Sequence, residues 1–171
     1  RVIEGSAFIA APSAGMTLAQ MGAEVIRFDP LGGGLDYRRW PVTGTGESLY
    51  WAGLNKGKKS FAVDIRNPRG RELLTQLICA PTDKSENNGF FLTNFPTSGW
   101  MSYDNLKAQR DDLIMLNIKG NRDGTSEVDY TVNPATGFPN LTGPAGADAP
   151  VTHVMPAWDI ATGLAAVNGI L

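Results

Sequence analysis

The chain has 171 residues, the size of one domain, and a chain of that length buries roughly 70% of the surface its unfolded form exposes. With 42% hydrophobic and 19% charged residues it is neither disordered nor membrane-embedded, and no apolar run approaches the ~20 residues that span a bilayer. The net charge of −2 and pI of about 5.4 argue against a nucleic-acid partner, because binding a phosphate backbone needs a broad basic surface.

Cys79 is the only cysteine, which excludes an internal disulfide and suits a reducing, cytoplasmic setting. Lying in an apolar stretch, it reads as core rather than as a nucleophile. One cysteine and one histidine, His153, leave no basis for a zinc site, and no metal is expected.

Val2-Ile3-Glu4 reads as a first strand, with no signal-peptide pattern before it. Small residues follow over 6–11. Pro12 then suits the first turn of a helix over 13–21, and residues 24–29 form a second strand. Strand, helix and strand in this space make a βαβ unit, hence parallel pairing with a right-handed crossover. Residues 30–47 read as a long loop containing Gly32-Gly33-Gly34, of a length that is often functional.

A third strand is expected over 60–65. A helix from Asn67, its N-cap, and Pro68 runs through Cys79. A polar turn is expected over 81–88, a strand over 90–94, a helix capped by Ser102 as far as Arg110, and a strand over 113–118. Residues 157–171 form a helix with no stop signal, so the chain reads as part of a longer protein. The alternation predicts a Rossmann-like α/β fold: an open, mostly parallel sheet with helices on both faces and no internal domain boundary.

Open parallel sheets bind ligands at the carboxyl ends of their strands. The first such loop, residues 5–12, lacks the GxGxxG fingerprint. Asp29 closes the second strand, as either a ribose-binding acid or a turn residue. Asn55-Lys56-Gly57-Lys58-Lys59, together with Arg38 and Arg39, is either a phosphate-binding group or a solvated basic turn. Asp129 is either an ordinary helix N-cap or a carboxylate near a helix start, available for attack. His153 has no pairing motif around it and reads as structural.

Taken together these segments resemble the family III CoA-transferases along nearly the whole chain. The resemblance is carried by residues 18–29, by Asn55-Lys56-Gly57-Lys58-Lys59-Ser60 with Val63-Asp64, and most specifically by residues 129–137 followed by Leu141-Thr142-Gly143. The family pattern in that last segment is YDxxxQAxSG, from which Val128, Asn133-Pro134 and Thr136 depart.

The resemblance implies that Asp129 is the nucleophile and that Ile9 and Ala10 lie near the reacting end. It also implies that Lys58, Lys119 and Arg38 contact CoA. CoA then enters as part of an acyl-CoA substrate, with no permanently bound cofactor. The full-length protein would be an interlocked homodimer, of which this chain is the N-terminal portion of the large domain, inactive alone.

Residues 28–37, 51–58 and 128–134 are similar to a branch of the family that transfers CoA intramolecularly between the two carboxyl groups of mesaconate, 2-methylfumarate, in the 3-hydroxypropionate cycle. The other readings are an intermolecular transferase acting on another carboxylic acid, a nucleotide-binding oxidoreductase, and a domain that binds CoA without turnover.

Overall fold

The computed structural model describes residues 1–81 and 89–171. Its centre is a five-stranded sheet: β1 (Val2–Gly5), β2 (Val25–Asp29), β3 (Lys59–Ala62), β4 (Phe90–Thr93) and β5 (Ile114–Asn117). Spatial order is β3-β2-β1-β4-β5 and every pairing is parallel. Strand order therefore reverses between β1 and β4, and the crevice beyond their carboxyl ends is where such sheets bind ligands.

Among the described residues six α-helices connect or follow the strands: α1 (Ala10–Gln20), α2 (Leu49–Leu54), α3 (Pro68–Cys79), α4 (Tyr103–Lys107), α5 (Asp129–Ala135) and α6 (Ala157–Ile170). Alternation along the strands sends successive side chains to opposite faces of the sheet. Ile3, Phe28 and Phe91 pack with Leu74 and Ile78 of α3 and Leu106 of α4. Val2, Val25 and Leu92 pack on the other face with Ala14 and Leu18 of α1 and Ala166 and Val167 of α6. Helices thus cover both faces, as expected.

Local chemistry explains most boundaries. Asn67 Oδ1 accepts the Arg69 N–H at 2.9 Å, and Pro68 occupies the first position of α3, where no N–H is needed. Ser102 caps α4, which is shorter than the sequence predicts. α1 begins at Ala10, three residues earlier than expected. This puts Pro12 third in the helix, still inside the turn whose N–H groups lack intrahelical acceptors. β3 ends at Ala62 rather than residue 65; Val63 still donates its N–H to Asp29, but the chain then turns at Asp64 toward α3. The long loop is interrupted by α2, capped by Ser48, whose Oγ accepts the Trp51 N–H. Of the turn expected over 81–88, all but Pro81 lies outside the described residues.

Candidate active site

The β1–α1 loop lies at the point where strand order reverses, and it is held from both sides. Asn94, just past β4, accepts the Ala7 N–H at 2.9 Å and donates Nδ2 to the Ala7 carbonyl at 2.8 Å. Asp36, only 3% exposed, accepts the Phe8 N–H. Between these anchors Phe8 adopts φ of 65°, a left-handed conformation that costs a bulky residue of order 1–3 kcal/mol. Its ring stays 46% exposed, and Ile9 follows as the N-cap of α1 with no side-chain cap on the helix. The first N–H groups of α1 therefore have no side-chain cap.

α6 crosses α1 at this end. Gly163 makes the approach possible: a Cβ there would sit 2.1 Å from Ser13 Oγ and 2.8 Å from the Ala10 carbonyl oxygen. Gly163 meets the first turn of α1, and Ala166 and Val167 join the cluster of Ala14 and Leu18 further along it, so Asp159, one turn earlier on the same face of α6, falls toward the β1–α1 loop at the start of α1. Among the described residues neither oxygen of its carboxylate takes part in a hydrogen bond or ion pair. Burial pushes its pKa above the usual carboxylate range, and the charge of Asp129 adds to that.

Asp129 occupies a different position from the one its local sequence suggests. The N-cap of α5 is Val128, with Thr131 Oγ1 accepting the Val128 N–H at 3.0 Å, and Asp129 is the first residue of the helix. It is 7% exposed. Its Oδ2 accepts the N–H groups of Trp158 at 2.9 Å and Asp159 at 3.4 Å, so it caps α6 from outside that helix. Beneath it, buried Asn133 accepts from Trp158 Nε1 at 3.2 Å and pairs with His153 Nε2 at 2.9 Å, which gives His153 the structural place expected of it. The two carboxylates are thus unlike: one is buried and engaged in holding a helix start, the other is free.

The basic groups also separate. Lys58 turns inward, its side chain 2% exposed. Its Nζ donates to Glu4 Oε1 at 2.7 Å, the Pro12 carbonyl at 2.8 Å and Asn55 Oδ1 at 2.9 Å, which uses all three of its N–H groups. Burial pulls its pKa down to about 8 against the opposing pull of Glu4, and burial raises Glu4 despite the neighbouring cations. In this structure the Lys58 ammonium, expected at CoA, braces β1, α1 and the end of α2 from within.

Asp29 is likewise committed, as a bidentate partner of Arg27 at 2.9 and 3.0 Å. Arg38 and Lys119 are exposed on loops that follow β2 and β5, with no hydrogen-bond partner among the described residues. Ile9 is half-buried and Ala10 6% exposed at the loop itself. Cys79 is half-buried against the core, and burial raises its pKa away from reactive thiolate behaviour. Among the described residues no cluster of His, Cys, Asp or Glu is arranged to hold a metal, and no helix is long and apolar enough to cross a membrane.

Sequence reasoning missed Asp159. An acidic residue in the first turn of a helix is ordinary, and only the crossing with α1 distinguishes this one.

A doubly wound parallel sheet, with a free carboxylate set against the uncapped helix at its switch point, fits acyl transfer. The model of CoA-transferase family III matches residues 1–171, and the chain belongs to that family. It is 66% identical, over its whole length, to 2-methylfumaryl-CoA isomerase of Chloroflexus aurantiacus, covering 41% of that protein. Human succinyl-CoA:glutarate CoA-transferase is 30% identical over the whole chain, which covers 40% of it. Among solved structures, a CAIB/BAIF family protein from Brucella suis superimposes with a TM-score of 0.82 at 27% identity, over 99% of this chain and 46% of the other. The chain thus spans about two fifths of the length of the curated relatives it matches.

Proposed function

We propose that this chain is the N-terminal part of an intramolecular CoA transferase that isomerises mesaconyl-CoA, moving CoA from one carboxyl group of 2-methylfumarate to the other. The observation that carries the reading is the 66% identity to 2-methylfumaryl-CoA isomerase over the whole chain.

Of the two carboxylates, the geometry favours Asp159 as nucleophile. Asp129, which the sequence pattern singles out, is better suited to positioning: it is nearly buried and fastened to the start of α6. A carboxylate oxygen of Asp159 attacks the thioester carbonyl carbon, the C–S bond breaks, and CoA leaves as the thiolate. The product is an aspartyl–acyl mixed anhydride. The thiolate then attacks the aspartyl carbonyl and releases mesaconate, leaving an aspartyl-CoA thioester. The other carboxylate of the retained mesaconate attacks that thioester, and the two steps run in reverse.

Negative charge that develops on the carbonyl oxygen is met by the open N–H groups at the start of α1. Holding mesaconate in the site keeps the second transfer unimolecular, an advantage that reaches effective molarities of ~10⁵ M or more.

Arg38 and Lys119 are proposed to meet the CoA phosphates, and Ile9 and Ala10 to face the acyl group. Anhydrides hydrolyse, so water must be kept out. The exposed apolar rim of Val128, Tyr130, Leu141, Val154 and Met155 is proposed to be covered in an interlocked homodimer of the full-length protein.

Mesaconyl-CoA given to the full-length protein with isotope-labelled free mesaconate tests the reading. Conversion to the other regioisomer without label in the ester is expected. Label in the ester would mean ordinary intermolecular transfer, and no conversion would remove the mesaconyl assignment.

A further inference from the structure

At the start of α2 the structure holds a buried hydroxyl with nothing to bond. Tyr50, in the first turn of α2, has its Oη sealed from solvent and without a hydrogen-bond partner among the described residues. A buried, unmatched hydroxyl is costly unless a ligand completes it.

The guanidinium of Arg39 lies over the Tyr50 ring, 4.7 Å from its centroid, and over the Phe8 ring at 5.2 Å. Two aromatic faces thus hold a guanidinium, and Phe8 is the strained residue of the loop that leads into α1. The only hydrogen bond the Arg39 side chain makes among the described residues is a stretched contact of 3.5 Å with Asp36, whose other oxygen already serves the Phe8 N–H. Most of its planar fork of donors is therefore unspent. Burial pushes the Tyr50 pKa up to about 12 against the opposing pull of Arg39, and the charges of Asp36 and Asp159 add to the rise, which ties this cluster electrostatically to the proposed nucleophile.

We propose that the Arg39 guanidinium and the Tyr50 hydroxyl form a subsite for a carboxylate: the one at the end of a dicarboxylic acyl group that is not bonded to Asp159 or CoA. A guanidinium fork flanked by a hydroxyl donor matches a carboxylate in shape, charge and hydrogen-bonding capacity. The inference rests on the proposed isomerase activity and deepens it. The same subsite retains free mesaconate between the two half-reactions, holding one end while the other reacts.

The test uses the full-length enzyme with Tyr50→Phe, which keeps the ring under Arg39, and with Arg39→Leu and Arg39→Lys. Two constants are compared. One is kcat/KM for mesaconyl-CoA; the other is the Ki of methacrylyl-CoA as a competitive inhibitor, the same thioester without the distal carboxylate.

Tyr50→Phe and Arg39→Leu are expected to lower kcat/KM about 10- to 100-fold and to leave Ki within about 2-fold, as loss of a hydrogen bond to a charged group predicts. Arg39→Lys should recover part of the loss. Labelled free mesaconate should also begin to enter the ester in Arg39→Leu, because the intermediate acid escapes.

Equal weakening of both constants would overturn the proposal and assign Arg39 to the CoA moiety or to folding. An unchanged kcat/KM would overturn it too. Both results leave the isomerase reading standing. That reading fails separately, and the subsite with it, if the unsubstituted enzyme does not isomerise mesaconyl-CoA.

Discussion

Replacing Gly163 with alanine tests whether the crossing of α1 and α6 sets the chemistry. The new Cβ would stand 2.1 Å from Ser13 Oγ, 2.8 Å from the Ala10 carbonyl oxygen and 3.4 Å from the Ala14 nitrogen. The Ser13 hydroxyl can rotate away, but the Ala10 carbonyl belongs to helix backbone and moves only with α1. The helices must part by about half an ångström or more, and overpacking of this kind costs about 1–3 kcal/mol. Alanine returns about 1 kcal/mol of helix propensity, so the net loss should be up to about 2 kcal/mol. For a domain of this size that corresponds to a fall in Tm of roughly 2–4 °C for each kcal/mol lost.

Activity should suffer more than stability. Asp159 sits one turn from the wedge, and misplacement of a reacting group by about 1 Å can cost about 100-fold in rate. Thermal melting and kcat/KM for mesaconyl-CoA, measured on the full-length Gly163→Ala protein, check this. A variant that melts higher and keeps full activity would refute the reasoning, because α1 and α6 would then not hold the nucleophile in place.

Asp129→Asn keeps an oxygen to accept the α6 N–H groups but removes the charge that helps raise the Asp159 pKa. The nucleophile works ionised, so kcat/KM falls as pH drops through that raised pKa; the acid limb of the profile should move to lower pH in the variant, and an unmoved or raised limb would contradict the coupling. Asp159→Asn should abolish activity while stabilising the fold near neutral pH. A carboxyl whose folded pKa is raised contributes stability below its unfolded pKa and loses it as pH rises through the folded one, so the gain should be present at about pH 7 and shrink toward about pH 3 in denaturant titrations. Gly15→Ala would place a Cβ 1.7 Å from Oε2 of fully buried Glu4, beside Lys58; disrupting that ion pair should cost about 3 kcal/mol or more, seen as a lowered denaturation midpoint.

The parts of the fold that local pattern controls were legible. β1, α1, β2 and the Asn67–Pro68 start of α3 follow from apolar periodicity and capping chemistry, which act within a few residues. α2 was not legible, because six residues containing Gly53 carry too little periodicity to stand out from a glycine-rich loop.

The site was legible only by halves. The Asp129 segment stood out by its pattern, but the carboxylate turns away from its own helix to cap one that begins 28 residues later, and no local rule anticipates that. Lys58 reads as a surface cation in a basic run; the acid on β1, 54 residues away, and the Pro12 carbonyl draw it inward, and neither is near it in the chain. Asp159 and Tyr50 acquire meaning from what the topology sets beside them.

The most direct measurement traps the covalent intermediate. The full-length protein is incubated with mesaconyl-CoA, treated with borohydride to reduce an aspartyl-CoA thioester to the alcohol, digested, and read by peptide mass spectrometry. Conversion of Asp159 to homoserine, with Asp129 intact, is the predicted result. Homoserine at position 129 with Asp159 unmodified would contradict the account and return the nucleophile to the residue that the sequence pattern singled out.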